Sequence, residues 1–514
     1  MLLLAAATCC LSLPTSAAER GSAQRATKRR VDDPGKLVVS DQPTTAALNG
    51  RLPRVYRVMA PEELATELRQ LKQSARKLPE GSADRTHIEE LIRAIELYEK
   101  TGFDPDALLN EITSAVAELR NLPPLQPVRF QILERNALKK FLEVKLEEDL
   151  PPGWLAEYES ACKIVGAIPE RTNLRKTLLS LLSEQIAGLY DDKTKKLYVL
   201  ADFDLSRPLA KIILAHEICH ALQDQHYNFS RMPLRDLENN DAATAALAVI
   251  EGDATILMQD YAGTSLSGSD VLKLLDVLKI DQSALNATPY FLRQQLIFPY
   301  LGGAEFLMKI SYQDPDLREL AFVRVPVSTE QILHSDKYAS GDLDLPTTVS
   351  IPAIQSILGK GWKRTMRCNW GEMQIKTLFE VWREWNKAKR VGEGWDGDQF
   401  VIYRKGEEYV YLWKTTWDTR KDATEFYDEY SELLRAKRYR EFFANEQFGG
   451  NIEDDKTLNY EPQDRGSDAR PLHIRFRRQD ANVVVQISNS GQIAARFNEM
   501  DQLLLSRDPT PVRD

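Results

Sequence analysis

The stretch LAHEICHALQDQH, residues 214–226, constrains this chain more than any other. It sets His216, Glu217 and His220 in the order His-Glu-x-x-His, and with His226 it holds three of the chain's six histidines. Residues four apart share one face of an α-helix, so His216 and His220 can aim two imidazole nitrogens at one point. The surrounding KIILAHEICHALQ is apolar at Ile212, Ile213, Leu214, Ile218 and Leu222, a helical rather than an alternating pattern. Pro208 stands at the expected helix start, where its missing N–H costs little. The spacing therefore predicts an apolar helix that carries two imidazoles and a carboxylate inward. Burying them together is costly without a partner. A divalent metal held by the two histidines would be one, and Glu217 could reach a water on that metal. That residue set is what metal-assisted hydrolysis requires. A buried helix with two hydrogen-bonded structural histidines is the plainer reading.

Tetrahedral zinc needs a third protein ligand beside an open position. His226 follows His220 by six residues, the metzincin spacing, but that pattern requires glycine three residues after the second histidine, where this chain has Gln223. On a continuing helix His226 would sit about 80° off the face of His216 and about 9 Å along the axis from His220. Glu251 is the stronger candidate. It lies in DAATAALAVIEGDATILMQDY, residues 241–261, an alanine-rich helical pattern with an isolated acid–Gly–acid cluster at its middle. Ala242, Ala245, Ala246 and Ala248 would let this helix lie close to a neighbour. A buried carboxylate needs a pairing partner or a metal, and Asp253 could orient a ligand histidine through its second ring nitrogen. A half-exposed helix with both acids in solvent is the alternative.

A His-Glu-x-x-His helix followed by a helix bearing a ligand glutamate resembles the gluzincin arrangement of zinc metallopeptidases, the thermolysin-like clan. More narrowly, the chain resembles a group of secreted bacterial proteins of that metallopeptidase type. Their signatures are similar to SEQIAGLYDDKTKKLYV, HEICHALQDQH, IEGDAT, FPYLGGAEF and VSTEQILHSDKY, which occur in that order from Ser183 to Tyr338. The later WDGDQFVIY and TTWDTRKDATEF also resemble that group, so the likeness covers most of the chain beyond about residue 125. It implies one Zn2+ held by His216, His220 and Glu251, Glu217 as general base, and a peptide or protein substrate. It also implies an oxyanion donor from a tyrosine or histidine, for which Tyr300 and His334 are the candidates. In gluzincins a strand before the zinc helix forms the edge along which substrate lies, and residues 195–200 resemble it. Two rivals stand beside this reading. One is a secreted or envelope binding protein in which zinc only staples two helices, saturated by His226 or Asp253 as a fourth ligand. The other is a metalloenzyme that acts on some other bond.

Composition sets the remaining bounds. A chain of 514 residues can build two or more cores. A net charge of −9 argues against nonspecific nucleic-acid binding, which needs a basic surface. No internal run approaches the roughly 20 apolar residues of a membrane span. MLLLAAATCCLSLPTSAA reads as a signal peptide ending at Ala18, which implies a secreted or periplasmic protein. Cys162, Cys219 and Cys368 are too few for a disulfide scaffold, and Cys219 reads as a packed core thiol.

Residues 19–55 read as a disordered linker, and three amphipathic helical patterns run from Pro61 to about Arg120. PVRFQIL reads as a strand, NALKKFLEVKL as a helix, Trp154 to Ile186 as a helical pair, and GLYDDKTKKLYV as a hairpin. Residues 239–312 read as mostly helical with Gly302-Gly303 as an interruption, and the His334 segment as a polar loop. His87 and His473 read as ordinary surface or packing residues. From about residue 346 the composition changes, and seven tryptophans fall between Trp362 and Trp417. Core packing suits them better than a ligand surface. DQFVIYRK with GEEYVYLWK, and PLHIRF with NVVVQIS, read as hairpins, the segment TRKDATEFYDEYSELL as an amphipathic helix, and Ile493 to Leu505 as a closing helix. The expected fold class is α+β. A mainly helical zincin-like domain with a small edge sheet fills 56–345, and a smaller α+β domain fills 346–514.

Overall fold

A computed structural model describes residues 61–80, part of 82–96, 105–185, 188–200, 207–265, 283–341, 343–382, 385–435, 448–454, 457–462 and 471–505. The expected signal peptide and linker, and His87, lie outside the described residues. The fold is mixed α+β, with two sheets among the described residues. No described helix is long and apolar enough to cross a membrane.

The first half is helical around one small sheet. Helices α1 (Pro61–Lys77) and α2 (Pro105–Arg120) precede strand β1 (Arg129–Leu133). Then come α3 (Arg135–Asp149), α4 (Trp154–Ile164) and α5 (Leu174–Gln185), the hairpin β2 (Gly188–Asp191) and β3 (Lys196–Leu200), and α6 (Pro208–Tyr227). The sheet order is β1-β3-β2, with β3 parallel to β1 and antiparallel to β2. This corrects one expectation. Leu197 on β3 pairs with Phe130 on one side and Tyr190 on the other, so the 195–200 strand is central and its main chain is already used. The strand that touches Glu217 is β2.

Pro208 opens α6 as expected. The helix is buried on nearly all sides from Pro208 to Asp224, so its polar residues have no solvent face to turn to. Next come α7 (Asn240–Ser265), α8 (Tyr290–Gln313) and α9 (Asp316–Val323). Gly302 and Gly303 do not interrupt α8. A Cβ at Gly303 would lie 1.9 Å from the Ala248 carbonyl oxygen of α7, and one at Gly252 would lie 2.2 Å from the Gly303 carbonyl carbon. The glycines let two backbones touch, which is close enough to hold side chains of α7 and α8 against α6. The His334 segment is likewise ordered: α10 (Thr329–Leu333) is capped by the Ser328 side chain, which accepts from Gln331 N–H, and α11 (Ser335–Ala339) follows.

The second half is built on a seven-stranded antiparallel sheet. Its elements are β4 (Lys363–Cys368), α12 (Glu372–Val381), α13 (Trp385–Gly392), β5 (Trp395–Lys405), β6 (Glu408–Trp417), α14 (Arg420–Arg435), β7 (Phe448–Asp454), β8 (Thr457–Pro462), β9 (Leu472–Gln479), β10 (Asn482–Ser488) and α15 (Phe497–Leu505). The order is β4-β5-β6-β10-β9-β8-β7, so both expected hairpins are present and the two pair with each other through β6 and β10. Trp370, Trp395 and Trp413 pack inward around one carboxylate. Asp398 accepts from the indole N–H groups of Trp395 and Trp413 at 3.1 and 2.9 Å, and from the main-chain N–H groups of Trp370 and Gly371 at 2.9 Å each. Packing crosses residue 346. Tyr158, Cys162 and Leu178 share a buried cluster with Trp370, Phe400 and Tyr430, and Arg404 on β5 pairs with Glu157 at 2.8 Å.

Candidate metal centre

Three donor atoms converge where α6 meets α7. His216 Nε2 lies 3.1 Å from Glu251 Oε2, His220 Nε2 lies 3.3 Å from the same oxygen, and the two imidazole Nε2 atoms lie 2.9 Å apart. All three residues are buried. A tetrahedron with bonds of about 2.0–2.1 Å has edges of about 3.3–3.4 Å, so the trio is spaced at or just under that value. No lysine or arginine bonds to Glu251 among the described residues; its carboxylate pairs with the two histidines. Burial works against the His220 imidazolium, but the Glu251 carboxylate beside it holds its pKa up at about 9. Burial also works against the Glu251 carboxylate, and His220 and His216 hold its pKa down at about 2. Without a metal, then, a proton neutralises the pair.

Glu217 is buried on the same helix, and its Oε2 accepts the Tyr190 main-chain N–H of β2 at 2.7 Å. Tyr300 comes to the site on α8, its ring stacked on His216 with centroids 5.9 Å apart at 17°. A cavity of about 90 Å³ is lined by Leu247, Leu292, Leu296 and Pro299 among others; the trio, Glu217 and Tyr300 are not among its lining residues.

Other candidates lie elsewhere. His226, half-buried near the end of α6, donates from Nε2 to the Pro123 carbonyl at 2.8 Å, because the helix continues through Gln223 instead of turning back. His334 pairs with Glu372 of α12 at 2.9 Å. Thr329, five residues before it, bonds to Asp241 in the first turn of α7, about 15 Å along the helix from Glu251. The structure does not bring His334 to the trio. Cys219 is a buried thiol packed away from it. Asp253 does not touch a histidine. It lies between Arg120 and Arg318 at 2.7 and 2.6 Å and accepts from Gln223 Nε2 at 2.7 Å. Burial opposes its charge, but the two guanidinium groups hold its carboxyl below the usual aspartate range. Gln223, which the motif had not marked, contacts His220: His220 Nδ1 lies 2.9 Å from Gln223 Oε1.

A family model described as Domain of unknown function (DUF8575) matches residues 363–495. The match covers the sheet from β4 to β10 and excludes every residue of the trio. No curated protein and no solved structure matches the chain.

Proposed function

We propose that this chain is an exported zinc-dependent metallopeptidase of the gluzincin type. The observation that carries the reading is the spacing of the His216, His220 and Glu251 donor atoms, 2.9–3.3 Å apart in a buried site that no lysine or arginine of the described residues enters. Those three residues would hold the ion. Zinc in a three-ligand site makes a water on it acidic near neutral pH and polarises a substrate carbonyl. Glu217 takes the water's proton during attack on a peptide carbonyl and passes it to the leaving amine. Its Oε2 is held by Tyr190 N–H, which leaves Oε1 to carry the proton. Tyr300, against His216, is the oxyanion donor in this reading.

The stapling alternative needs a fourth protein ligand. His226 is bonded to Pro123, and Asp253 is bonded to two arginines, so neither supports saturation of the site. The test measures bound zinc and hydrolysis of a peptide library for the parent and Glu217→Gln. The expected result is one zinc per chain in both, with hydrolysis at least about 100-fold slower in the variant. Equal rates would remove Glu217 as the base.

A further inference from the structure

The two imidazoles of the site are held by different means. His216 Nδ1 faces the Met258 thioether at 3.1 Å, a weak acceptor, and its ring lies against Tyr300. His220 Nδ1 faces the amide oxygen of Gln223, a fully buried side chain three residues on along α6. The orientation of that amide is over-determined. Its Nε2 donates to Asp253 Oδ2 at 2.7 Å and to the Ile250 carbonyl at 3.2 Å, both of which can only accept. Flipping the amide would set oxygen against two oxygens, so Oε1 must face His220. An amide oxygen cannot donate, so His220 Nδ1 carries a hydrogen, and a metal that displaces the second ring proton meets the lone pair of Nε2, the nitrogen that faces His216 and Glu251. Asp253, two residues past Glu251, points about 160° around α7 from it. It therefore reaches the ligand histidine only through the amide. Its own position is fixed by Arg120 from α2 and Arg318 from α9.

We propose that Gln223 is the positioning residue that fixes the tautomer and orientation of His220, and that Asp253, clamped by Arg120 and Arg318, is the anchor that fixes Gln223. The inference rests on the metal site proposed above. It ties helices far apart in sequence to one ligand nitrogen.

Zinc affinity is measured by chelator competition for the full chain, Gln223→Leu and Gln223→Glu, with the visible spectrum of the cobalt-loaded forms as a second signal. Gln223→Leu should weaken zinc about 10- to 100-fold and alter the cobalt bands. Gln223→Glu keeps an acceptor at Nδ1 but loses the donor to Asp253 and Ile250, so it should recover only part of that loss. A variant that fails to fold leaves the assignment testable on the parent. Nitrogen-15 NMR of the zinc-loaded, histidine-labelled protein should show His220 protonated at Nδ1 and ligated through Nε2. Unchanged zinc affinity and cobalt bands in Gln223→Leu, or ligation through Nδ1, would overturn the assignment while leaving the metal site standing. A parent that takes up no zinc would overturn both.

Discussion

Two groups of three ligand-type side chains converge among the described residues. His216, His220 and Glu251 form one, and Glu330, Asp344 and Asp418 form the other; in each, the donor atoms lie within 4.8 Å of one another. Lys337 occupies the second group. Its ammonium lies 2.7 Å from Glu330 and 3.5 Å from Asp418, with Asp344 also in contact. Burial works against that ammonium, but Asp344 and Glu330 hold its pKa above the usual lysine range. The first group has no such side chain, because the arginines nearest to it in the network, Arg120 and Arg318, are engaged by Asp253. Convergence of acids is therefore a poor sign of a metal site by itself. What separates the two groups is whether the fold already supplies the counter-charge, and whether imidazole nitrogens are among the donors.

The largest effect should come from removing one imidazole. His216→Ala should lower zinc affinity by about 1000-fold or more, measured by chelator competition. The stabilisation of about 4 kcal/mol that zinc gives at a thousandfold excess over its dissociation constant should go with it. Asp344→Asn should leave zinc stoichiometry unchanged. One tightly held zinc per chain in His216→Ala would dissolve the distinction between the groups.

A somewhat smaller effect is expected in the other group. Lys337→Met leaves the buried Glu330 beside two further acids; burial already raises that carboxyl to about 9, so it stays protonated instead of charged, and the loss in denaturant unfolding should be about 2–3 kcal/mol, under that for a stranded buried charge. Calcium, which favours oxygen ligands, should restore part of the loss in the variant and leave the parent unmoved. Equal calcium responses would show that the lysine does not stand in for a cation.

Much of this was legible in the sequence, for a physical reason. The α6 motif is local: helical periodicity alone puts His216, Glu217 and His220 on one buried stretch. Glu251 could be found because a carboxylate in an alanine-rich run needs a partner. The hairpins β5–β6 and β9–β10 follow from alternation and a tight turn. What escaped was non-local or without a signature. The Tyr190 N–H that holds Glu217 is a backbone group. Gln223 was read only as a departure from the metzincin glycine, although it holds His220. Arg120 and Arg318 reach Asp253 from residues with no spacing relation to it. Gly302-Gly303 read as a break, because a helix–helix contact of backbone on backbone leaves the same trace as a helix end. The β3 strand read as an edge because nothing local announces its second partner, β1, some 65 residues earlier. The family match at 363–495 falls on the sheet half, so it does not bear on the trio.

The smallest effect separates the groups by pH. In the metal-free protein His220 has a folded pKa of about 9 against an ordinary 6.5. A raised histidine contributes stability that is fully present below pH 6.5 and is lost as pH rises through about 9. Glu251 is depressed to about 2 from 4.5, so its contribution is present above pH 4.5 and lost as pH falls through about 2. Both are intact between pH 4.5 and 6.5. Lys337, raised from 10.5, keeps its contribution across that whole range and beyond. Metal-free protein should therefore lose about 2 kcal/mol between pH 6.5 and 9 through His220. Zinc displaces that proton, so zinc-loaded protein should not show the loss. Asp241, which burial pushes up to about 8, adds a slope of the same sign that zinc leaves in place. Comparing parent with His220→Gln by urea unfolding at pH 5.5, 7.5 and 9 isolates the histidine. Parallel pH profiles for the two metal-free proteins would mean that the trio carries no proton, and that Glu251 is neutralised by some other group.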